Sequence, residues 1–248
     1  MILAPRNRRA VSSRHGLLPS RSETIMPEAK TLFEFPARLM KRAPDETLLD
    51  LAKSRNAFDP SVFDEHRPFF FSAAISNGEL DCYYTRMATS SLQNYAADAD
   101  AGVSLQDSHW EWRLGLGRSL TGKYEKAGDS EQVIADFYAV RGIKFNDATY
   151  QTTDDFINAI RAGIAKDVSI GFHGGEFVCS VCGLDMWSWD CWHIPGLEYD
   201  IKDKNGDVIR REEAFAWVAK ARLAEVSVVY KGATPGAAIL KGIFLSRI

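Results

Sequence analysis

Cys179, Cys182, Cys191 and His193 stand in a C-x2-C-x8-C-x-H array, soft ligands at a spacing suited to one metal ion. A CxxC pair grips an ion with two thiolates from a single tight turn, and a later C-x-H pair completes a tetrahedron. The array takes three of the chain's four cysteines and predicts a structural Zn2+. The alternatives are a disulfide pair and buried free thiols, the latter fitting a reducing compartment. Four protein ligands leave no position for a reacting water, so the ion would staple a loop and the chemistry would lie elsewhere. A zinc hydrolase with an open site would need one of the four to stay off the metal.

Three further residues are unusual for their surroundings. The chain has five histidines. His15 falls in an arginine-rich start, His66 in a proline-containing lead-in, His173 beside Gly174-Gly175, and His193 in the array. His109 is left, just before the Trp110-x-Trp112 alternation, where a histidine serves either packing or proton transfer. Ser169 lies between Val168 and Ile170 in an apolar run. Its hydroxyl needs a partner, either a backbone carbonyl or a histidine that takes its proton and makes it a nucleophile. Glu225 opens Glu225-Val226-Ser227-Val228-Val229, where a carboxylate among buried neighbours needs an imidazole to orient, or Lys220 or Arg222 to pair with. Asp107 and Asp154 are rival acids.

The elements that must position these residues follow from pattern. Phe69–Ile75 and Leu80–Met87 read as strands, with Asn77-Gly78 between them predicting a tight hairpin. Ser90–Ala99 reads as a helix capped by Ser90 or Ser91, with Leu92, Tyr95 and Ala96 on one face. Ser108–Leu116, Leu120–Lys126 and Gln132–Val140 read as strands, the last with a short helix as its alternative. Thr152–Ala165 is the strongest helix: Thr152 or Thr153 caps it, Asp154 and Asp155 sit in its positive first turn, and Phe156, Ile157, Ile160 and Ile164 form its apolar face. Val168–Phe172 is a strand leading into the metal loop. Leu197–Lys202 and Asp207–Arg211 form a hairpin over Asn205-Gly206. Ala214–Leu223 fits helix or strand, and Glu225–Tyr230 is a β-branched strand. The expected organisation is a disordered basic tail over 1–25 and a loosely packed lead-in over 26–67. The main domain then spans 68–240 with a metal-binding insertion at 174–196, and 241–248 is a C-terminal tail. The first 25 residues carry five arginines and one acid, so they are expected to be dispensable, with Met26 an alternative start.

These residues and their order resemble the capsid-maturation (prohead) protease family of tailed phages, which is related in fold to the herpesvirus assembly proteases. The family's approach to its histidine is matched by Gly102-Val103-Ser104-Leu105-Gln106-Asp107-Ser108-His109, followed by Gly117-Arg118. Its nucleophile strand is matched by Val168-Ser169-Ile170-Gly171-Phe172. Its closing segment is similar to Leu223-Ala224-Glu225-Val226-Ser227 and on to Ala233-Thr234-Pro235. The resemblance runs from about Phe69 to Ala238; the metal loop is an elaboration, and no long scaffold region follows the closing motif. It implies an α+β fold, with a β-barrel-like, mostly antiparallel core, a few helices and a small zinc-knuckle loop. It further implies a serine endopeptidase in which His109 is the base, Ser169 the nucleophile and Glu225 the third member. The protein substrates would be scaffold protein and major capsid protein, cleaved inside the assembling procapsid in the host cytoplasm. Backbone N–H groups near Gly171 or Gly115–Gly117, with Arg118, are the oxyanion candidates. Trp187, Trp189 and Trp192 are expected to form the metal knuckle's miniature core, the alternative being a peptide-contact surface. The rival reading is a non-catalytic zinc-knuckle protein that binds scaffold or capsid protein, in which His109 and Ser169 lie far apart.

Composition narrows the partners. At 248 residues with 46% hydrophobic content the chain can bury one substantial core, and a net charge of −3 gives no nucleic-acid surface. No apolar run approaches the ~20 residues that span a bilayer, and the apolar stretch of a secretory signal is missing. A homo-oligomer is compatible with all of this.

Overall fold

Two short helices come first among the described residues. The computed structural model describes residues 45–55, 57–144 and 150–240. Helix α1 (Asp45–Arg55) and helix α2 (Val62–Glu65) lay Leu48, Ala52 and Phe63 against Phe70, Leu120 and Tyr138, all buried. The Phe63 ring meets Tyr138 edge-on, with centroids 5.6 Å apart. The second half of the expected lead-in is therefore packed on the barrel wall rather than loose, because its apolar residues escape water only there. The expected tails at 1–25 and 241–248, and the start at Met26, lie outside the described residues.

Strand β1 (Phe69–Asn77) is apolar on both faces: Phe70 meets the helices, while Phe69, Phe71, Ala73 and Ile75 enter the main core. The hairpin expected over Asn77-Gly78 does not form. Gly78 N donates instead to Glu131 O (3.1 Å), and the Asn77 amide donates to Pro235 O (2.7 Å). The chain turns later, around Asp81, whose carboxylate accepts from the N–H groups of Tyr83 and Thr85 and from the Thr85 hydroxyl. Strand β2 (Thr85–Met87) then leaves β1 for another sheet.

Helix α3 (Thr89–Ala101) buries Leu92, Tyr95 and Ala96 as expected, but Ala88 stands at its N-cap without a side-chain bond. The two serines expected as caps have tertiary partners. Ser90 accepts from Lys220 N, and Ser91 bonds both Val218 O and Ala221 N. Strand β3 (Ser104–Asp107) leads, after a loop, to the hairpin of β4 (Gly117–Ala127) and β5 (Ser130–Ala139). Helix α3 lies so close to β4 at Gly122 that a Cβ there would meet Ala99 Cβ at 2.8 Å. Helix α4 (Thr153–Arg161) is capped by Thr152, one of the two expected caps, in a capping box with Asp155, and it buries Phe156, Ile157 and Ile160. Ile164 falls beyond its end and is exposed.

The remaining strands are β6 (Asp167–His173), β7 (Glu176–Cys179), β8 (Glu198–Lys202), β9 (Val208–Glu213), β10 (Ala216–Ala219), β11 (Arg222–Val229) and β12 (Ala238–Ile239). Seven strands close into a barrel in the order β1-β12-β6-β11-β3-β4-β5, antiparallel except for the parallel pair β11–β3. Strands β2, β10 and β7 make a small sheet, and β8–β9 is the predicted hairpin. The fold is thus α+β, with a seven-stranded barrel and, among the described residues, four helices. Phe71 and Phe137 stack at 5.4 Å inside it, with Leu105, Val168, Val226 and Val228. Among the described residues no helix is long and apolar enough to cross a membrane.

Candidate functional site

Alternation along β6 and β11 sorts their residues into two faces. Val168, Ile170 and Phe172 pack in or against the core with Leu223, Val226 and Val228. In a regular strand Leu223 and Glu225 would share a face. A register shift at Ala224 separates them, so Leu223 points inward and Glu225 outward. Glu225 then lies opposite Gly171, and Ser227 opposite Ser169, on the outer surface of the barrel.

The strand expected over Ser108–Leu116 is absent. Pairing of β3 ends at Asp107, and Ser108 and His109 adopt left-handed backbone, with φ of 53° and 58°. Each such residue costs about 1–2 kcal/mol, so neighbours must hold the turn. Ser108 N donates to Val228 O (3.0 Å), His109 N to Ser227 Oγ (2.9 Å), and Trp110 N to Asp107 O (3.0 Å). The turn aims the imidazole at β11, where His109 Nδ1 lies 2.7 Å from Glu225 Oε1. The other carboxylate oxygen accepts from Ser227 Oγ at 2.6 Å. Both oxygens of this buried carboxylate thus have partners, as burial demands. Its hydrogen bond raises the His109 pKa above the ordinary imidazole value, partial burial opposes the rise, and the charge of Glu225 adds to it. With Nδ1 turned to the carboxylate, Nε2 is the nitrogen that can accept a proton.

The rival acids Asp107 and Asp154 and the rival cations Lys220 and Arg222 are engaged elsewhere. Asp107 faces Arg113 (3.7 Å) and accepts from Ser108 Oγ, while Asp154 holds Arg141 (3.1 Å) and Gly142 N. Lys220 bonds Glu176 (2.7 Å), and Arg222 pairs with Asp98. Glu225 is therefore the carboxylate on His109. His173 is exposed at the end of β6. Arg118 donates to Gly102 O (2.6 Å).

Ser169 is half-buried and shares the outer face with this pair. Directly opposed residues of an antiparallel pair have Cβ atoms about 4.5–5.5 Å apart, so Ser169 flanks Ser227, the residue that holds the His109 turn. No hydrogen bond joins Ser169 to the imidazole among the described residues. On the other side of the pair, His109, Glu111, Ile170, Gly171, Phe172, Ala224 and Glu225 line a pocket of about 300 Å³. Gly171 keeps that side open. A Cβ there would strike Glu225 Oε1 and stand 3.1 Å from its Cγ and Cδ, pushing the carboxylate off His109. Sequence reasoning passed over Ser227 and Glu111. The signal for Ser227 was its place two positions after Glu225, which puts both on one strand face.

The Cys179, Cys182, Cys191 and His193 array, the candidate metal site, comes together. Cys179 ends β7, and the N-terminal arm is a tight turn in which Gly183 N donates to Cys179 O (2.9 Å). Cys182 and Cys191 sulfurs are 3.7 Å apart, and Cys191 Sγ is 3.8 Å from His193 Nδ1. The four ligand atoms all lie within 4.8 Å of one another. Two sulfurs each ~2.3 Å from a tetrahedral ion would be about 3.8 Å apart. All three cysteines are free thiols. The cluster can hold one metal ion with all four groups.

The expected tryptophan core is not what supports it. Trp187, Trp189 and Trp192 are 64%, 96% and 84% exposed, and the buried support is Met186, Ala214 and Ala216 with Cys179. The pairing of β7 with β10 sets Cys179 opposite Ala216 in this small cluster. Tyr199 sets its ring edge on His193 at 4.5 Å, and its hydroxyl accepts from Ile194 N. Phe177 links the loop to the barrel, touching Phe172 on one side and Trp187 on the other. No protein-family model, curated protein or solved structure matches this chain.

Proposed function

We propose that this chain is a serine endopeptidase of the prohead-protease kind, cleaving scaffold and capsid-protein segments inside the assembling procapsid of a tailed phage. Ser169 is the nucleophile, His109 the base and Glu225 the acid that orients it. The observation that carries this reading is the 2.7 Å contact of His109 with buried Glu225, on the barrel face that also bears Ser169. In the first step His109 Nε2 takes the Ser169 proton as Oγ attacks the peptide carbonyl. The imidazolium, stabilised by Glu225, then protonates the leaving amine, and water repeats the sequence on the acyl-enzyme. The Cys3His cluster holds structural zinc, which shapes the loop and takes no part in the chemistry.

A fluorophosphonate probe tests the assignment, since an activated serine attacks phosphorus with loss of fluoride. Labelling is expected at Ser169 by peptide mass mapping and is expected to vanish in His109→Ala. Absence of labelling, or a label on another residue, would overturn it.

Glu225→Gln carries a second expectation. Neutral imidazole is the form that accepts a proton, and Glu225 holds the His109 pKa above its ordinary value, so the base forms only above that raised pKa. Removing the charge should move the acid limb of kcat/KM to lower pH, while the plateau falls by roughly 10^4-fold, with KM little changed. A near wild-type Glu225→Gln beside a crippled Asp107→Asn or Asp154→Asn would show that the acid is another residue.

The exposed Trp187, Trp189 and Trp192 favour a second reading, a zinc-knuckle protein that binds scaffold or capsid protein without cleaving it. It predicts binding that survives Ser169→Ala and no probe labelling at all.

A further inference from the structure

We propose that Ser227 is a positioning residue of this site, its one hydroxyl both orienting the Glu225 carboxylate and holding the left-handed turn that presents His109. The inference rests on the peptidase reading only for its kinetic consequences. Ser227 is fully buried in a strand whose neighbours Val226 and Val228 are core residues. A hydroxyl at such a place is costly unless its hydrogen bonds are made. Both are made within the site: Oγ donates to Glu225 Oε2 (2.6 Å) and accepts from His109 N (2.9 Å). One oxygen is thus bonded to the acid and to the backbone of the base.

Two consequences follow from this geometry. Glu225 has freedom about its side-chain bonds, and without the Ser227 donor nothing described fixes Oε2, so the 2.7 Å contact of Oε1 with Nδ1 would be one of several arrangements. His109 N–H would lose its acceptor at a backbone angle that a histidine rarely adopts, leaving the ring direction less defined. The groups that bear on the imidazole charge are Glu225 from β11, Glu111 from its own loop across the pocket, and Asp107, already paired with Arg113. Of these only Glu225 depends on Ser227.

The test is a titration of the His109 ring by NMR in the wild type, Ser227→Ala and Ser227→Cys, with His109→Ala identifying the signal. The Ser227→Ala protein is expected to titrate closer to ~6.5, the ordinary imidazole value, with Ser227→Cys intermediate because a thiol is a weak donor. Cleavage should fall in kcat by about 10–100-fold, the scale typical of groups that orient a ligating or reacting residue, with KM nearly unchanged. A folded Ser227→Ala whose His109 titration and kcat both match wild type would overturn the proposal. If that variant fails to fold, Ser227→Cys, similar in volume, supplies the same comparison. A shifted titration in a chain that cleaves nothing sustains the positioning role and rejects only the peptidase reading.

Discussion

Ser169→Ala is expected to bring cleavage of scaffold and capsid-protein segments down to background, a loss of at least about 10^4-fold in kcat. The same loss is expected of His109→Ala, and the double variant should be no worse than either, because a nucleophile without its base and a base without its nucleophile are equally inert. The fold should be untouched. Ser169 is half-buried on the outer face of β6, and its neighbours Val168 and Ile170 supply the core contacts. Losing one hydroxyl there should change stability by about 0.5 kcal/mol or less, so melting temperature serves as the control. Cleavage of a purified scaffold or capsid-protein substrate by Ser169→Ala would sink the nucleophile assignment.

Removal of the metal should have the largest effect on stability, confined to one part of the molecule. The cluster is expected to hold one zinc per chain, and structural zinc contributes apparent binding free energies of about 10–16 kcal/mol in small zinc domains. Here the loop has only Met186, Ala214, Ala216 and Cys179 as its buried core, separate from the main core of the barrel. Without the ion the cysteines would return to neutral thiols, and the loop would have little to hold it. Chelation should therefore release hydrogen-exchange protection across residues 176–199, while the barrel strands stay protected. Cys182→Ser should reproduce this without chelator. Elemental analysis finding no zinc in freshly purified, reduced protein would refute the metal's identity. Protection at 176–199 that chelation leaves unchanged would refute its role.

Local spacing was enough to identify what local forces decide. The Cys179, Cys182, Cys191 and His193 array lies within one loop, so its geometry is a property of a short segment. Helix α4 was legible because Thr152 offers a cap, Asp154 and Asp155 suit the first turn, and Phe156, Ile157 and Ile160 repeat at helical spacing. Strands β6 and β11 and the β8–β9 hairpin were legible for similar reasons. The misplaced hairpin at Asn77-Gly78 shows the limit. A turn preference says that the chain can reverse, not which strand β1 will pair with, and its partners are the distant β5 and β12. The Ser108–Leu116 segment looked like a strand by alternation, yet Trp112 and Leu114 are 91% and 84% exposed, and two left-handed residues end the pairing. Only tertiary structure could bring the residues of the candidate site together. His109 and Glu225 are 116 positions apart in sequence, and they meet because barrel closure sets β3 beside β11 and a shift at Ala224 turns the carboxylate outward. A register is fixed by burial summed over many residue pairs, and no short window of sequence contains that sum.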